Sequence, residues 1–148
     1  MPHLLAQINI ALGKAPLDDP IMRGFTEQLD AVNALAEASP GFVWRLQDES
    51  SDATAIRAFP DPLMIVNMSV WTDADALKAY VYKNQHGTAF RNRHDWFEKR
   101  DQPGLALWWI PAGTQPTVEE GKARLETLAR LGPTAESFTF RTVYPAPS

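Results

Sequence analysis

Residues 63–71 read LMIVNMSVW. Apart from Asn67 and Ser69 every side chain is apolar, so both faces of an extended chain would be apolar here. A short run of this kind, bounded by turn residues, marks an interior strand of a sheet rather than a half-exposed one. The flanks agree. PDP at 60–62 turns the chain into the run, and Thr72-Asp73-Ala74-Asp75 reads as a helix cap behind it. A helix over Ala74–Tyr82 follows, with Leu77 and Val81 facing inward.

Upstream, Phe42–Gln47 (FVWRLQ) predicts a short strand with Phe42, Trp44 and Leu46 on one face. After the polar loop DESSDAT, Ala55–Phe59 is expected to continue an edge strand. Ile21–Ala38 predicts one helix, because Ile21, Phe25, Leu29, Val32, Leu35 and Ala36 form a single apolar stripe. Asp18 or Asp19 would cap it, with Pro20 at its first position, and SPG at 39–41 would stop it. His3–Ala11 alternates through Leu4, Ala6, Ile8 and Ile10, the period of a strand, and Gly13, Lys14 and Pro16 end it.

Downstream lies NQHGTAFRNRHDWFE, residues 84–98. Gly87 predicts a break between helices near Asn84–Gly87, and Phe90, Trp96 and Phe97 supply an apolar stripe for a second helix to about Lys99. DQPG at 101–104 is a turn, Leu105–Ile110 a strand, and Thr117 caps a helix over Val118–Leu131 with acids in its first turn. Phe138 and Phe140 alternate in a terminal segment expected to add a short strand.

Strand, helix, hairpin, helix, strand is the split βαβ unit of a ferredoxin-like α+β fold: an antiparallel sheet with helices on one face. An aromatic-rich second face has to be covered, which predicts a homodimer closed through it.

The 148 residues fit one domain spanning 1–148. A net charge of -4 argues against a nucleic-acid partner, which would need clustered excess Lys and Arg. The chain has no Cys, which removes disulfides, a thiol nucleophile and Cys-ligated metal, and fits a reducing cytoplasm, the expected location. The start, MPHLLAQINIALGKAP, has no signal-peptide pattern, and no run approaches the roughly 18 apolar residues that span a bilayer, so no membrane partner is expected.

Several residues are candidates for chemistry. Asn9 and Asn67 sit mid-strand among apolar residues, where an amide needs a partner or serves a pocket. Trp108 and Trp109 are adjacent on a strand and must face opposite ways; Trp44 and Trp71 raise the same question of which face they serve. Large flat side chains suit an aromatic ligand as well as a core. His86 follows a helix end, as a pocket acid/base or as a capped surface residue; His94 suits a solvated face. Arg91 and Arg93 suit a ligand carboxylate or phenolate, or a pairing with Asp95 and Glu98. No HxH, HxxxH or HExxH pair exists, so no metal site is expected, and Gly-rich phosphate loops and Ser-His-Asp signatures are missing.

The segments SVWTDADALKAYVY, HGTAFRNRHDWFE and LALWWIPAGTQPTVEEGKARLETLARLGPT, with LAQINIA and PGFVWRLQDE, resemble a bacterial family designated a domain of unknown function. That family is similar to the dimeric α+β-barrel proteins, the superfamily of the antibiotic-biosynthesis monooxygenases. The resemblance implies two sheets packed into a shared barrel and a pocket in each subunit between sheet and helices. The superfamily holds cofactor-free oxygenases, heme-binding enzymes, isomerases and lyases, so fold alone does not name a reaction. Its cofactor-free oxygenases use Asn and Trp at strand positions similar to Asn67 and Trp71. In its heme-degrading branch the position of the proximal His falls on Phe90.

The leading expectation is a dimer that takes a small hydrophobic, aromatic or polyketide-like molecule and acts by proton transfer or cofactor-free oxygenation. His86 would be the acid/base, Arg91 or Asn67 the anchor, Trp71 and Trp108 the walls, and Asn9 a further polar contact. No cofactor is expected. The alternatives are a heme protein with His86 or His94 as axial ligand, and a non-catalytic binding dimer.

Overall fold

The computed structural model describes residues 2–47, 59–61, 63–85, 96–99 and 103–147. Four strands form one sheet: β1 (His3–Leu12), β2 (Phe42–Arg45), β3 (Met64–Trp71) and β4 (Leu105–Pro111), in the order β2-β3-β1-β4 with every pairing antiparallel. The interior place read for residues 63–71 is met: β3 lies between β2 and β1. β1 is interior as well, and its register puts Leu5 opposite Trp71 on one side and Trp109 on the other. With the helices described below, this is the expected α+β fold with an antiparallel sheet.

The first face of the sheet carries Leu5, Leu107 and Trp71 under the helices α2 (Leu29–Ala38) and α3 (Ala74–Gln85), which bring in Ala36, Leu77 and Tyr80. Asp73 caps α3, its Oδ1 accepting from Ala76 N at 2.8 Å. α2 and α3 approach closely at the turn into β2. Gly41 there has φ +85, and a Cβ would come within 2.5 Å of Ala76 Cβ. Glycine is required on both counts.

The stripe expected to form one helix over 21–38 is divided. A 3-10 turn over Pro20–Met22, capped by Asp19, leads into α1 (Arg23–Thr26), and α2 starts only at Leu29. The tightened bond from Gln28 N to Phe25 O marks the joint. Gly24 lowers the helical preference there, and the Trp96 ring lies where its side chain would be, 2.9 Å from an added Cβ. Phe25 packs edge-on to Phe97 and tilted to Trp96; the helix read to about Lys99 ends at Trp96, and Phe97 forms a β-bridge with Gly13 instead.

Two expectations about faces are corrected. Phe42, Trp44 and Leu46 do not share a face: β2 shifts register between Phe42 and Trp44, so Phe42 joins the first face while Trp44 and Leu46 join the second. The helices are also not confined to one face. The last helix, α4 (Val118–Leu131), lies on it and buries Ala6, Ile8, Val66, Met68, Val70 and Trp108 with its own Leu125 and Leu128. α4 begins and ends where expected, with Thr117 Oγ1 accepting from Glu120 N at 3.0 Å. Gly121 lets the helix settle onto the strands; a Cβ there would come within 2.7 Å of Ile8 Cδ1. Trp108 Nε1 donates to Glu120 Oε2 at 3.0 Å, tying strand to helix.

The terminal segment adds to the sheet at one point. Leu107 and Phe138 exchange both backbone hydrogen bonds, at 2.8 and 2.9 Å, and Trp109 Nε1 donates to Tyr144 O at 2.9 Å. The edge strand read over Ala55–Phe59 lies outside the described residues save Phe59, whose ring receives Lys122 Nζ at 5.0 Å. Among the described residues no helix is long and apolar enough to cross a membrane.

Candidate functional site

Strand alternation places Gln7 and Asn9 of β1, Asn67, Ser69 and Trp71 of β3 and Arg45 of β2 on the first face, under the helices. Asn9 stands opposite Asn67, and Gln7 opposite Ser69, which in turn stands opposite Arg45. A polar row, Arg45–Ser69–Gln7, thus crosses three strands, with the asparagine pair beside it and the apolar row Phe42–Trp71–Leu5–Trp109 on its other side.

The row is bonded together. Gln7 Nε2 donates to Asn67 Oδ1 and to Ser69 Oγ, each at 2.8 Å. Trp71 Nε1 donates to the same Ser69 Oγ at 2.8 Å. Asn9 Nδ2 reaches Gln7 Oε1 at a long 3.4 Å. Gln7 and Ser69 are buried, Asn67 is half-buried and Asn9 is exposed, so the network runs from the core out to solvent.

Counting donors shows what remains. A hydroxyl oxygen accepts two hydrogen bonds and donates one. Ser69 Oγ already accepts two N–H groups, so its hydrogen must point elsewhere, and it finds no acceptor among the described residues. Asn67 spends its carbonyl oxygen on Gln7, and its Nδ2 has no partner among them either. Two hydrogen-bond donors, held from behind, have no acceptor among the described residues. Such a pair suits an oxygen that carries or develops negative charge.

Trp71 is fully buried, with Phe42 edge-on at 5.5 Å and Tyr80 stacked at 5.1 Å between ring centroids. Both contacts come from the chain itself, so Trp71 works here by holding Ser69 rather than as an open wall. Trp108 lies on the opposite face beneath α4, away from Asn9, Asn67 and Trp71. The structure therefore joins Asn9, Asn67 and Trp71 and separates Trp108 from them. His86, Arg91 and His94, with Phe90, Arg93 and Asp95, lie outside the described residues. Gln7, Ser69 and Arg45 were missed from sequence. Gln7 and Ser69 share the signal that exposed Asn9 and Asn67, a polar residue in an apolar strand; the register shift in β2 hid Arg45.

A groove of about 290 Å³ lies elsewhere, lined by Ser39, Gly41, Thr72, Asp73, Tyr80 and Lys83 among others. The stacked pair Trp71–Tyr80 stands between it and the network. Two of its polar groups are engaged locally: Ser39 Oγ donates to Leu35 O at 2.7 Å and Asp73 caps α3. The network, with its unspent donors, is the better site.

Burial in this layer raises the Tyr80 pKa above its ordinary value. The folded chain then keeps the phenol proton after the unfolded chain has lost it, above about pH 10. Stability contributed by neutral Tyr80 is intact below that pH and is lost as pH rises through the raised folded value. The melting temperature of the wild type should fall more steeply above pH 10 than that of Tyr80→Phe, with the two curves parallel below it. Parallel curves throughout would leave burial of Tyr80 without effect on its titration.

The model of a family described as a domain of unknown function, DUF3291, matches residues 4–148. The chain belongs to the DUF3291 family. No curated protein matches it. Among solved structures, a Nitrosomonas europaea protein of unknown function aligns with this DUF3291 chain at a TM-score of 0.53 and 14% identity, covering 78% of this chain and 96% of the other. SnoaB, a cofactor-independent oxygenase from Streptomyces nogalater, aligns at 0.44 and 15%, covering 79% and 100%. A candidate antibiotic biosynthesis monooxygenase from Nitrosomonas europaea aligns at 0.44 and 17%, covering 79% and 96%. At 14% identity the likeness to the Nitrosomonas europaea protein of unknown function is one of fold alone. Among the described residues of the DUF3291 chain, no group of three His, Cys, Asp or Glu could hold a metal ion.

Proposed function

We propose that the chain binds a small aromatic or polyketide-like molecule through an enol or phenol oxygen and oxygenates it without a cofactor. The carrying observation is the pair of unspent donors, Asn67 Nδ2 and the Ser69 hydroxyl, in a polar row beside the apolar row of Phe42, Trp71 and Leu5. Donors fixed by Gln7 and Trp71 favour the oxyanion form of a ligand over its neutral form, and so lower the cost of deprotonating it. The resulting carbanion carries the electrons that dioxygen needs. Its carbon forms the C–O bond, a proton completes the hydroperoxide, and loss of water leaves a ketone. His86 is the proposed proton acceptor and Arg91 a proposed further anchor; both come from the sequence reading.

The test is oxygen uptake with a panel of hydroxylated anthrones and naphthols, in protein freed of added metal and flavin. One dioxygen should disappear per ketone formed. Binding of these compounds with no oxygen uptake and no product would leave a non-catalytic binding protein; no binding of any of them would remove the reading.

All the network residues come from one chain, so the proposed site needs no second copy to supply a missing group. The proposed assembly is the homodimer that the resemblance implies, with α4 lying beside Ile8, Met68 and Trp108. Light scattering at micromolar concentration is expected to report about twice the chain mass. The mass of one chain would remove the two-sheet barrel.

A further inference from the structure

We propose that Arg45 is the anion-selecting anchor of this site, and that the ligand carries a carboxylate beside its enol or phenol oxygen. The inference rests on the reading of the network as a ligand site. Arg45 is 8% exposed, and it is the cross-strand partner of Ser69, so its side chain rises from the same face as the free donors. Side chains directly opposite on neighbouring strands start only about 5 Å apart.

The guanidinium is poorly compensated. Its one acid among the described residues is Glu37, with Oε2 3.8 Å from Nε. That is too long for a hydrogen bond, and the Glu37 side chain is 52% exposed, so water weakens the attraction. Among the described residues, Arg45 Nε is buried with no hydrogen-bond partner. Removing a cation from water costs free energy unless an anion and hydrogen bonds replace the lost hydration. A buried donor left over in a folded chain points to a partner that binds there.

A carboxylate complements a guanidinium in charge, and its two oxygens match the planar fork. Across the row, a neighbouring hydroxyl on the same ring would meet Ser69 and Asn67. A 1-hydroxy-2-naphthoate carries both groups on adjacent carbons, and its methyl ester keeps the shape without the charge.

Calorimetric titration of both compounds tests the anchor. The wild type should prefer the acid over the ester by about 10-fold or more, as expected for a charged hydrogen-bonded pair. Arg45→Met should reduce acid binding to the level of the ester and leave the ester unchanged, while Arg45→Lys keeps part of the preference. Glu37→Gln, at a half-exposed position, should widen the preference because it removes the competing acid. This last variant and the wild-type ratio decide the matter even if Arg45→Met fails to fold. Equal binding of acid and ester by the wild type, a preference that survives Arg45→Met, or one unmoved by Glu37→Gln would each reduce Arg45 to a tie between β2 and α2 and leave the site standing. Binding of neither compound would overturn the site for this ligand class and the anchor with it.

Discussion

Trp108→Ala is expected to lower the free energy of unfolding by about 3–5 kcal/mol, the cost of emptying a large core site. Trp108 is fully buried on the second face, among Ala106, Ile110, Leu125 and Leu128. Its indole N–H holds Glu120, and the Arg124 guanidinium stands 5.9 Å from the ring. Truncation therefore opens a cavity at the centre of the α4 contact and releases the bond that fixes the first turn of that helix. Urea denaturation at neutral pH measures the loss. Affinity for a ligand on the first face should not change, because the sheet lies between. A change within 1 kcal/mol would show that α4 contributes little to the fold, and a loss of ligand binding at full stability would return Trp108 to the site.

Asn67→Ala is expected to reduce turnover by about 10²–10³-fold, the usual cost of removing one fixed donor to an oxyanion. The structural loss should be small, about 1 kcal/mol. Gln7 Nε2 keeps its bond to Ser69, and Asn67 is only half-buried. Oxygen uptake and melting temperature on the same preparation separate the two effects. A large fall in melting temperature with turnover intact would make the asparagine a strut of the sheet.

The strands were readable because each has a pattern that only one arrangement satisfies. LMIVNMSVW has no polar face to expose, so it had to lie inside the sheet, and β3 does. Asn67 stood out in it because an amide in an apolar run needs a partner, and Gln7 is that partner. What failed were inferences that ran beyond one element. Strict alternation through FVWRLQ could not show a register shift, and that shift is what carries Arg45 to the face of Ser69. Trp71 and Trp108 are both large and flat, and nothing in either strand alone says that the register sends them to opposite faces. The apolar second face was foreseen, but no single element's pattern places the last helix on it, where α4 lies.

The place of β1 has a consequence in the cell. β1 precedes both of its sheet neighbours in the chain, yet it is an interior strand, flanked by β3 and β4, with His3 paired to Pro111. Neither neighbour exists when it emerges. At synthesis rates of about 5–20 residues per second, roughly 5–20 s separate His3 from Pro111. During that interval LLAQINIAL has two unpaired backbone edges and an apolar side, the features that invite pairing with another nascent chain. Long-range pairing of this kind is also slow to form once its partners arrive. A chaperone that binds apolar nascent segments would have a defined task here: to shield residues 4–12 until β4 is made.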